Sequence, residues 1–268
     1  MKKKNCLNLY NNQYLNFYKK ELTVLASRPS IGKTALALNW ARDFVANQNK
    51  PVGFISSGNP DSETLFLRLL SLESKIALTK IRRVFLSVND CDQIQKACKK
   101  LYNLPIFISD IPNSKFEDIK TIANDMVSKN KIEILFIDGF DYIYEIAVSK
   151  NICEGALMAE NMEPYYDEIN FMMDSLKYLA NELKIPIVLL ISIKPDVYGS
   201  TPTIQSFEDK LIIPKIADKV IFLHRERNKD SGKWQNAELI IAKDSHNLGC
   251  SVNLEFNIAT GKFRCPKR

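Results

Sequence analysis

The chain has 268 residues, 46% apolar and 25% charged, with 37 Lys and Arg against 31 Asp and Glu for a formal net charge of +6. With only 9 Gly and 11 Pro, this composition excludes a disordered, collagenous or disulfide-scaffold chain, and the length fits one large domain or two small ones. A chain this long buries most of its unfolded surface, so no metal or disulfide staple is needed.

Much of the basic excess is terminal. Lys2, Lys3 and Lys4 open the chain, and Lys262, Arg264, Lys267 and Arg268 close it. Such runs are solvated ends or contacts to nucleic acid. The six cysteines (Cys6, Cys91, Cys98, Cys153, Cys250, Cys265) form no C-x-x-C pair, and His224 and His246 are too isolated for a zinc site. The sequence contains no 18-residue apolar run and no signal-peptide core. The expectation is a reduced, soluble, cytoplasmic protein that does not engage membrane.

Short β-branched runs alternate with longer amphipathic stretches, which predicts a mostly parallel α/β sheet. Leu22–Ala26 reads as a first strand, followed by a loop and a helix from Lys33 to Gln48. A strand over Pro51–Ser56 leads to a helix at Ser62–Leu72 with Leu65, Phe66, Leu69 and Leu70 at helical spacing. A helix over Asp90–Leu101, a strand at Pro105–Ser109 and a helix over Phe116–Ser128 come next. Ile132–Ile137 is the most deeply buried-looking strand and ends in Asp138. Ile169, Met172, Met173, Leu176, Leu179, Ala180 and Leu183 then form a long apolar stripe for the core. Ile187–Ser192 and Lys219–His224 are further strands, and Glu238–Ala242 with Val252–Phe256 predict an antiparallel pair at one edge. Tyr144–Pro164 and Lys194–Pro214 read as long irregular segments, of the kind that carry function.

The sharpest local signal is Ser27-Arg28-Pro29-Ser30-Ile31-Gly32-Lys33-Thr34, placed directly after a strand and opening a helix. There, backbone N–H groups and the helix N-terminus can cradle phosphate, Gly32 permits close approach, Lys33 supplies a cation to the β/γ oxygens, and Thr34 offers a hydroxyl to Mg²⁺. Ser27 stands where the usual pattern has its first glycine. Asp138, at the carboxyl end of a neighbouring strand, is the natural partner for Mg²⁺ beside Thr34; a strand-ending turn acid in Asp138-Gly139 is the plainer reading.

These residues resemble the RecA-like C-terminal ATPase domain of DnaB-type replicative DNA helicases. Ala26–Leu38 is similar to that family's Walker A segment, Leu104–Asp110 to its strand ending in acids, and Ile134–Asp138 to its Walker B strand. Leu176–Val188 resembles a helix-to-strand passage, and Ile216–Arg225 a later strand. The likeness runs over roughly residues 15–265, and only residues 1–21 precede the first strand, so the family's N-terminal helical domain is not in this sequence. It implies a P-loop NTPase fold over residues 19–268, with a short basic and polar arm at 1–18. It also implies ATP (or another NTP) and Mg²⁺ as ligands. Nucleotide contacts would run from Ser27, Arg28, Pro29, Ser30, Ile31, Gly32, Lys33 and Thr34 to Ala35, with catalytic roles for Lys33 and Asp138. Thr34 and Asp138 would hold the metal. Lys243 corresponds to a residue that the family offers to a neighbouring subunit's nucleotide.

The departures are as specific. Where the family places a water-polarising glutamate, this chain reads Ser56-Ser57-Gly58-Asn59, with no carboxylate before Asp61 and Glu63. The γ-phosphate sensor glutamine is not matched after Ser192, and Lys243-Asp244-Ser245 lacks the arginine finger, with Arg225 and Arg227 nearby in sequence. The first DNA-facing segment, Tyr144–Asp174, holds Lys150 against Glu145, Glu154, Glu160, Glu163, Asp167, Glu168 and Asp174, and the second has Lys194 as its cation. Acidic loops repel phosphates. Three readings remain: a ring-forming helicase motor on single-stranded DNA, a hydrolysis-deficient relative that partners a replication protein, and a recombinase-like ATPase on the same fold.

Overall fold

The protein is described from a computed structural model covering residues 3–4, 16–58, 60–111, 115–153, 163–194, 200–225 and 234–266. In chain order its elements are β1 (Lys3–Lys4), β2 (Leu22–Ser27), α1 (Lys33–Gln48), β3 (Val52–Ser56), α2 (Ser62–Ser74), α3 (Leu78–Arg82), α4 (Val88–Tyr102), β4 (Ile106–Asp110), α5 (Phe116–Asn130), β5 (Ile134–Asp138), α6 (Phe140–Cys153) and α7 (Glu163–Leu183). There follow β6 (Ile187–Ser192), a 3₁₀ segment (Ile204–Lys210), α8 (Ile212–Ile216), β7 (Lys219–His224), β8 (Gln235–Asp244), β9 (Cys250–Asn257) and β10 (Lys262–Arg264).

All the described strands join one sheet, in the order β1-β9-β8-β7-β2-β6-β5-β3-β4, with β10 paired to β9. The six strands from β7 to β4 run parallel. Strands β7 to β10 pair antiparallel in succession, which adds β10 to the expected edge hairpin. Lys3 and Lys4, in the expected N-terminal arm, pair parallel to β9; most of that arm lies outside the described residues.

The alternation of side chains along each strand builds two cores. Leu25, Phe54, Phe136, Val188 and Leu190 face the layer that holds α1, α2 and α4. Val24, Ala26, Ile55, Leu135, Ile137 and Leu189 face the layer that holds α5, α6 and α7. A sheet covered on both faces has apolar strands throughout, hence the near-continuous hydrophobic runs of β2, β5 and β6. Parallel pairing also aligns the strand ends. Ser27 of β2 is opposite Ser192 of β6, and Ser56 of β3 is opposite both Asp138 of β5 and Asp110 of β4. The carboxyl ends of five strands therefore meet at one rim, where ligands bind in open α/β sheets.

The segment read as irregular from Tyr144 to Pro164 is largely helical: α6 extends to Cys153 and α7 begins at Glu163, with 154–162 outside the described residues. In α6, Phe140, Ile143 and Tyr144 are buried, but apolar residues surround them in sequence and blur the helical period. The second such segment contains the 3₁₀ turn and α8, while 195–199 lie outside the described residues. Cys265 is disulfide-bonded, against the expectation of wholly reduced thiols, because sequence spacing is blind to which cysteines a fold brings together. Among the described residues, no helix is long and apolar enough to cross a membrane.

Candidate nucleotide site

The residues after β2 form a tight loop that turns the chain into α1. Ser30 takes a left-handed conformation with φ 62°, and Gly32 has φ 117° and ψ 21°, a region that side chains with a Cβ rarely enter. Strain of this kind is kept only where surrounding structure enforces it. Here Arg225, at the end of β7, does so: its Nε donates to the Ile31 carbonyl and its Nη2 to the Ser30 carbonyl, each at 3.2 Å. The same guanidinium stacks over Phe256 at 5.0 Å and bonds Gln235. Ser27 is fully buried and its hydroxyl donates to the Arg28 carbonyl at 2.9 Å, so serine fits at the loop's first position. Arg28 is itself held by the carbonyl and hydroxyl of Ser200, at 2.9 and 2.8 Å.

Helix α1 begins without a side-chain cap and without an acid in its first turn. The contrast within the molecule is direct, since α2 is capped by Asp61 and α4 by a Ser87–Asp90 capping box. An uncapped N-terminus leaves backbone donors and partial positive charge for an anion. Above it lies a cleft of about 640 Å³ lined by Ser27 to Ser30, Gly32 to Ala35, Asp138, Ser192 and the Ile258–Gly261 turn, among others.

Lys33, Thr34, Asp138 and Ser192 converge in this cleft. The Lys33 ammonium donates to Ser192 Oγ at 2.7 Å, and Thr34 Oγ1 donates to Asp138 Oδ2 at 2.6 Å. Burial holds the Lys33 pKa below the ordinary lysine range, although Asp141 and Asp138 pull it upward. Burial pushes the Asp138 carboxyl up, against the opposing effects of the Thr34 hydroxyl, Lys33 and the Gly139 N–H. Gly139 must remain glycine: a Cβ would sit 2.3 Å from the Ser57 carbonyl oxygen. Lysine and aspartate are thus both desolvated at the edge of an open cleft, an arrangement suited to an anionic ligand with a divalent cation. No group of three or more His, Cys, Asp or Glu able to hold a metal occurs among the described residues. A metal here would rest on Thr34, Asp138, water and the ligand's own oxygens, the usual pattern for Mg²⁺.

Ile31 packs its side chain into the core, and the remaining loop positions border the cleft. Lys243 lies elsewhere. Its ammonium donates to the carbonyls of Pro214, Lys215 and Ala217 at 2.9, 3.1 and 2.6 Å, closing the C-terminal end of α8. Neither Asp61 nor Glu63 borders the cleft. Asp61 accepts the Thr64 N–H at 2.9 Å, which lowers its pKa, and Glu63 is exposed in the first turn of α2. Arg227 and Asn59 lie outside the described residues. Lys194 of the second loop forms an ion pair with Glu208 at 3.0 Å.

Three further charged residues belong to the site. Arg225 braces the loop from behind. Arg68 of α2 lines the cleft, where burial lowers its pKa against the pull of Asp138. Asp141, in the first turn of α6, also lines the cleft and accepts the Ser192 N–H at 2.7 Å. Only Asp141 had a legible cue: one helical turn after a strand-ending acid places it at the same rim.

A model of the DnaB-like helicase C terminal domain matches residues 8–265. The chain belongs to this family. The replicative DNA helicase DnaB of Treponema pallidum (strain Nichols) is 34% identical over 250 residues, covering 93% of this chain and 52% of the relative. A probable plasmid replicative DNA helicase of Chlamydia psittaci is 32% identical over 248 residues, covering 91% and 51%. The chain therefore spans about half the length of the curated DnaB relatives it matches. The fold is that of a solved ATPase domain, with TM-score 0.74 and 23% identity, covering 93% of this chain and 86% of that one. A DnaB-like replicative helicase described with its primase interactions matches with TM-score 0.72 and 22% identity, over 92% of this chain and 57% of that one.

Proposed function

We propose that this DnaB-like domain binds ATP or a related nucleoside triphosphate with Mg²⁺ and serves as the motor domain of a cytoplasmic replicative DNA helicase, with slow hydrolysis. The observation that carries this reading is the convergence of Lys33, Thr34 and Asp138 over the uncapped start of α1. In it, backbone amides from Ser30 to Ala35 surround the phosphates, Lys33 leaves Ser192 for the terminal phosphate oxygens, and Thr34 and Asp138 hold Mg²⁺. The metal would neutralise phosphate charge.

Slow turnover follows from the rim of β3, where Ser56-Ser57-Gly58 offers no carboxylate. A carboxylate at that rim would hold the attacking water, and hydrolysis without one there is slower. The partners are copies of the same chain in a ring, single-stranded DNA and other replication proteins. A second reading, a nucleotide-binding regulatory partner that does not hydrolyse, is favoured by Asp61 being committed as a helix cap and Lys243 as a clasp on α8. Equilibrium nucleotide binding and phosphate release, with and without single-stranded DNA and with Lys33→Ala as control, separate the two. DNA-stimulated turnover lost in Lys33→Ala supports the motor; binding without turnover supports the partner.

A further inference from the structure

Asp141 has no part in the nucleotide contacts above, yet it supplies a carboxylate to a cleft whose β3 rim has none. It is three residues beyond Asp138, in the first turn of α6, and borders the same cleft. Its Oδ2 accepts the Ser192 N–H at 2.7 Å, and the Ser192 hydroxyl accepts Lys33 at 2.7 Å. One residue thus links this carboxylate to the cation that meets the terminal phosphate. Attraction by Asp141 is also the largest influence opposing the burial of the Lys33 charge. The other oxygen, Oδ1, is closed off from solvent and accepts no hydrogen bond among the described residues; Lys210 Nζ stands 3.6 Å from it. Leaving a buried acceptor unsatisfied costs on the order of 1–3 kcal/mol, so such an atom is poised for a donor that arrives with a ligand.

We propose that Asp141 is the catalytic carboxylate of this chain, orienting and deprotonating the water that attacks the nucleotide. The proposal rests on the nucleotide reading of the cleft. The attacking water donates a hydrogen bond to Asp141 Oδ1. Its oxygen forms a bond to the γ-phosphorus while the bond from that phosphorus to the β,γ-bridging oxygen breaks, and the bonding pair leaves with the diphosphate. The water's proton passes to Oδ1 and is handed on to the departing phosphate. The Ser192 N–H holds the carboxylate in place through Oδ2, and the Lys210 ammonium stands 3.6 Å from Oδ1.

The test uses the full chain with Mg²⁺ and compares phosphate release with the affinity for a fluorescent ATP analogue. The Asn amide in Asp141→Asn can still accept the Ser192 N–H, so the fold is kept while the base is lost. The expected result is a fall in kcat of about 10²–10⁴ with affinity nearly unchanged. Glu63→Gln, on the exposed turn of α2, leaves both values near wild type. The proposal is overturned if Asp141→Asn retains wild-type turnover, or if it loses affinity and turnover in parallel. It is equally overturned if the wild type binds nucleotide but releases no phosphate above the Lys33→Ala background, an outcome that leaves the nucleotide site standing. Failure of the wild type to bind the analogue overturns the nucleotide reading itself, and the proposal with it.

Discussion

Arg225 Nε donates to the carbonyl of Ile31 at 3.2 Å, tying the end of β7 to a loop 194 residues earlier in the chain. With the parallel bond to the Ser30 carbonyl, the planar guanidinium fixes two successive peptides of the phosphate loop, and lysine cannot reproduce that fork. Arg225→Lys is therefore expected to destabilise the protein by about 2–3 kcal/mol and to weaken nucleotide binding. Denaturant unfolding and analogue titration measure the two effects. Unchanged affinity would mean that the loop keeps its shape without the brace.

Lys33 is a desolvated cation whose hydrogen-bond acceptor is a neutral hydroxyl. Lys33→Ala should abolish tight triphosphate binding, while melting of the nucleotide-free protein moves little, since a buried charge that contributes little net stability is removed. Thermal melts with and without Mg²⁺-nucleotide make the comparison. A large loss of stability without nucleotide would show that Lys33 is a structural residue.

Asp138 carries a pH signature. Burial raises its folded pKa above the unfolded value, so its contribution to stability is greatest below the ordinary carboxylate pKa and is lost as pH rises through the folded pKa. Asp138→Asn can keep an acceptor for the Thr34 hydroxyl and removes the charge. The nucleotide-free variant is expected to melt about 2–4 °C above wild type at pH 7 for each kcal/mol gained, with the gap closing toward pH 4. The stabilisation that wild type gains from Mg²⁺-nucleotide should disappear. A variant less stable than wild type at pH 7 would contradict the sign.

Asn39 of α1 is buried, donating to the carbonyls of Ala35 and Gly261 at 2.7 and 2.8 Å and accepting the Phe263 N–H at 3.1 Å. Asn39→Leu strands the Gly261 carbonyl of the β9–β10 turn and the Phe263 N–H of β10, and should cost about 2–3 kcal/mol. Weaker nucleotide binding should accompany it, because that turn lines the cleft. Denaturant midpoints and analogue affinity check both parts.

Helix α1 was legible at both ends: G-K-T opens it, and its C-terminal boundary coincides with Asn49 in the left-handed region. Strands β6 and β7 were equally plain as β-branched runs. The one-turn α3 and three-residue β10 were not, since neither is long enough to show a period. Within the site, Lys33, Thr34 and Asp138 could be read because adjacency in sequence implies adjacency in space along a loop or across neighbouring strand ends. Arg68 and Arg225 reach the loop only through tertiary packing, so nothing near them in sequence signals the role. Lys243 illustrates the converse: its position in the chain matches a family motif, but within one protomer the nearest acceptors are the carbonyls ending α8.

The Asn39 bridge also bears on how the cleft comes into being. Gly261 and Phe263 lie 222 and 224 residues from Asn39, and the Phe256 and Phe263 rings pack where a Cβ on Gly32 would point. The phosphate loop is early in the chain, but one wall of its cleft is drawn from β9 and β10, joined to it by some of the most sequence-distant contacts in the fold. Contacts of that separation form late, after the cost of closing the chain has been met by the intervening sheet. An incompletely folded chain would present the helix end without the wall. Nucleotide, by favouring the finished cleft, would then draw the folding equilibrium to completion by mass action.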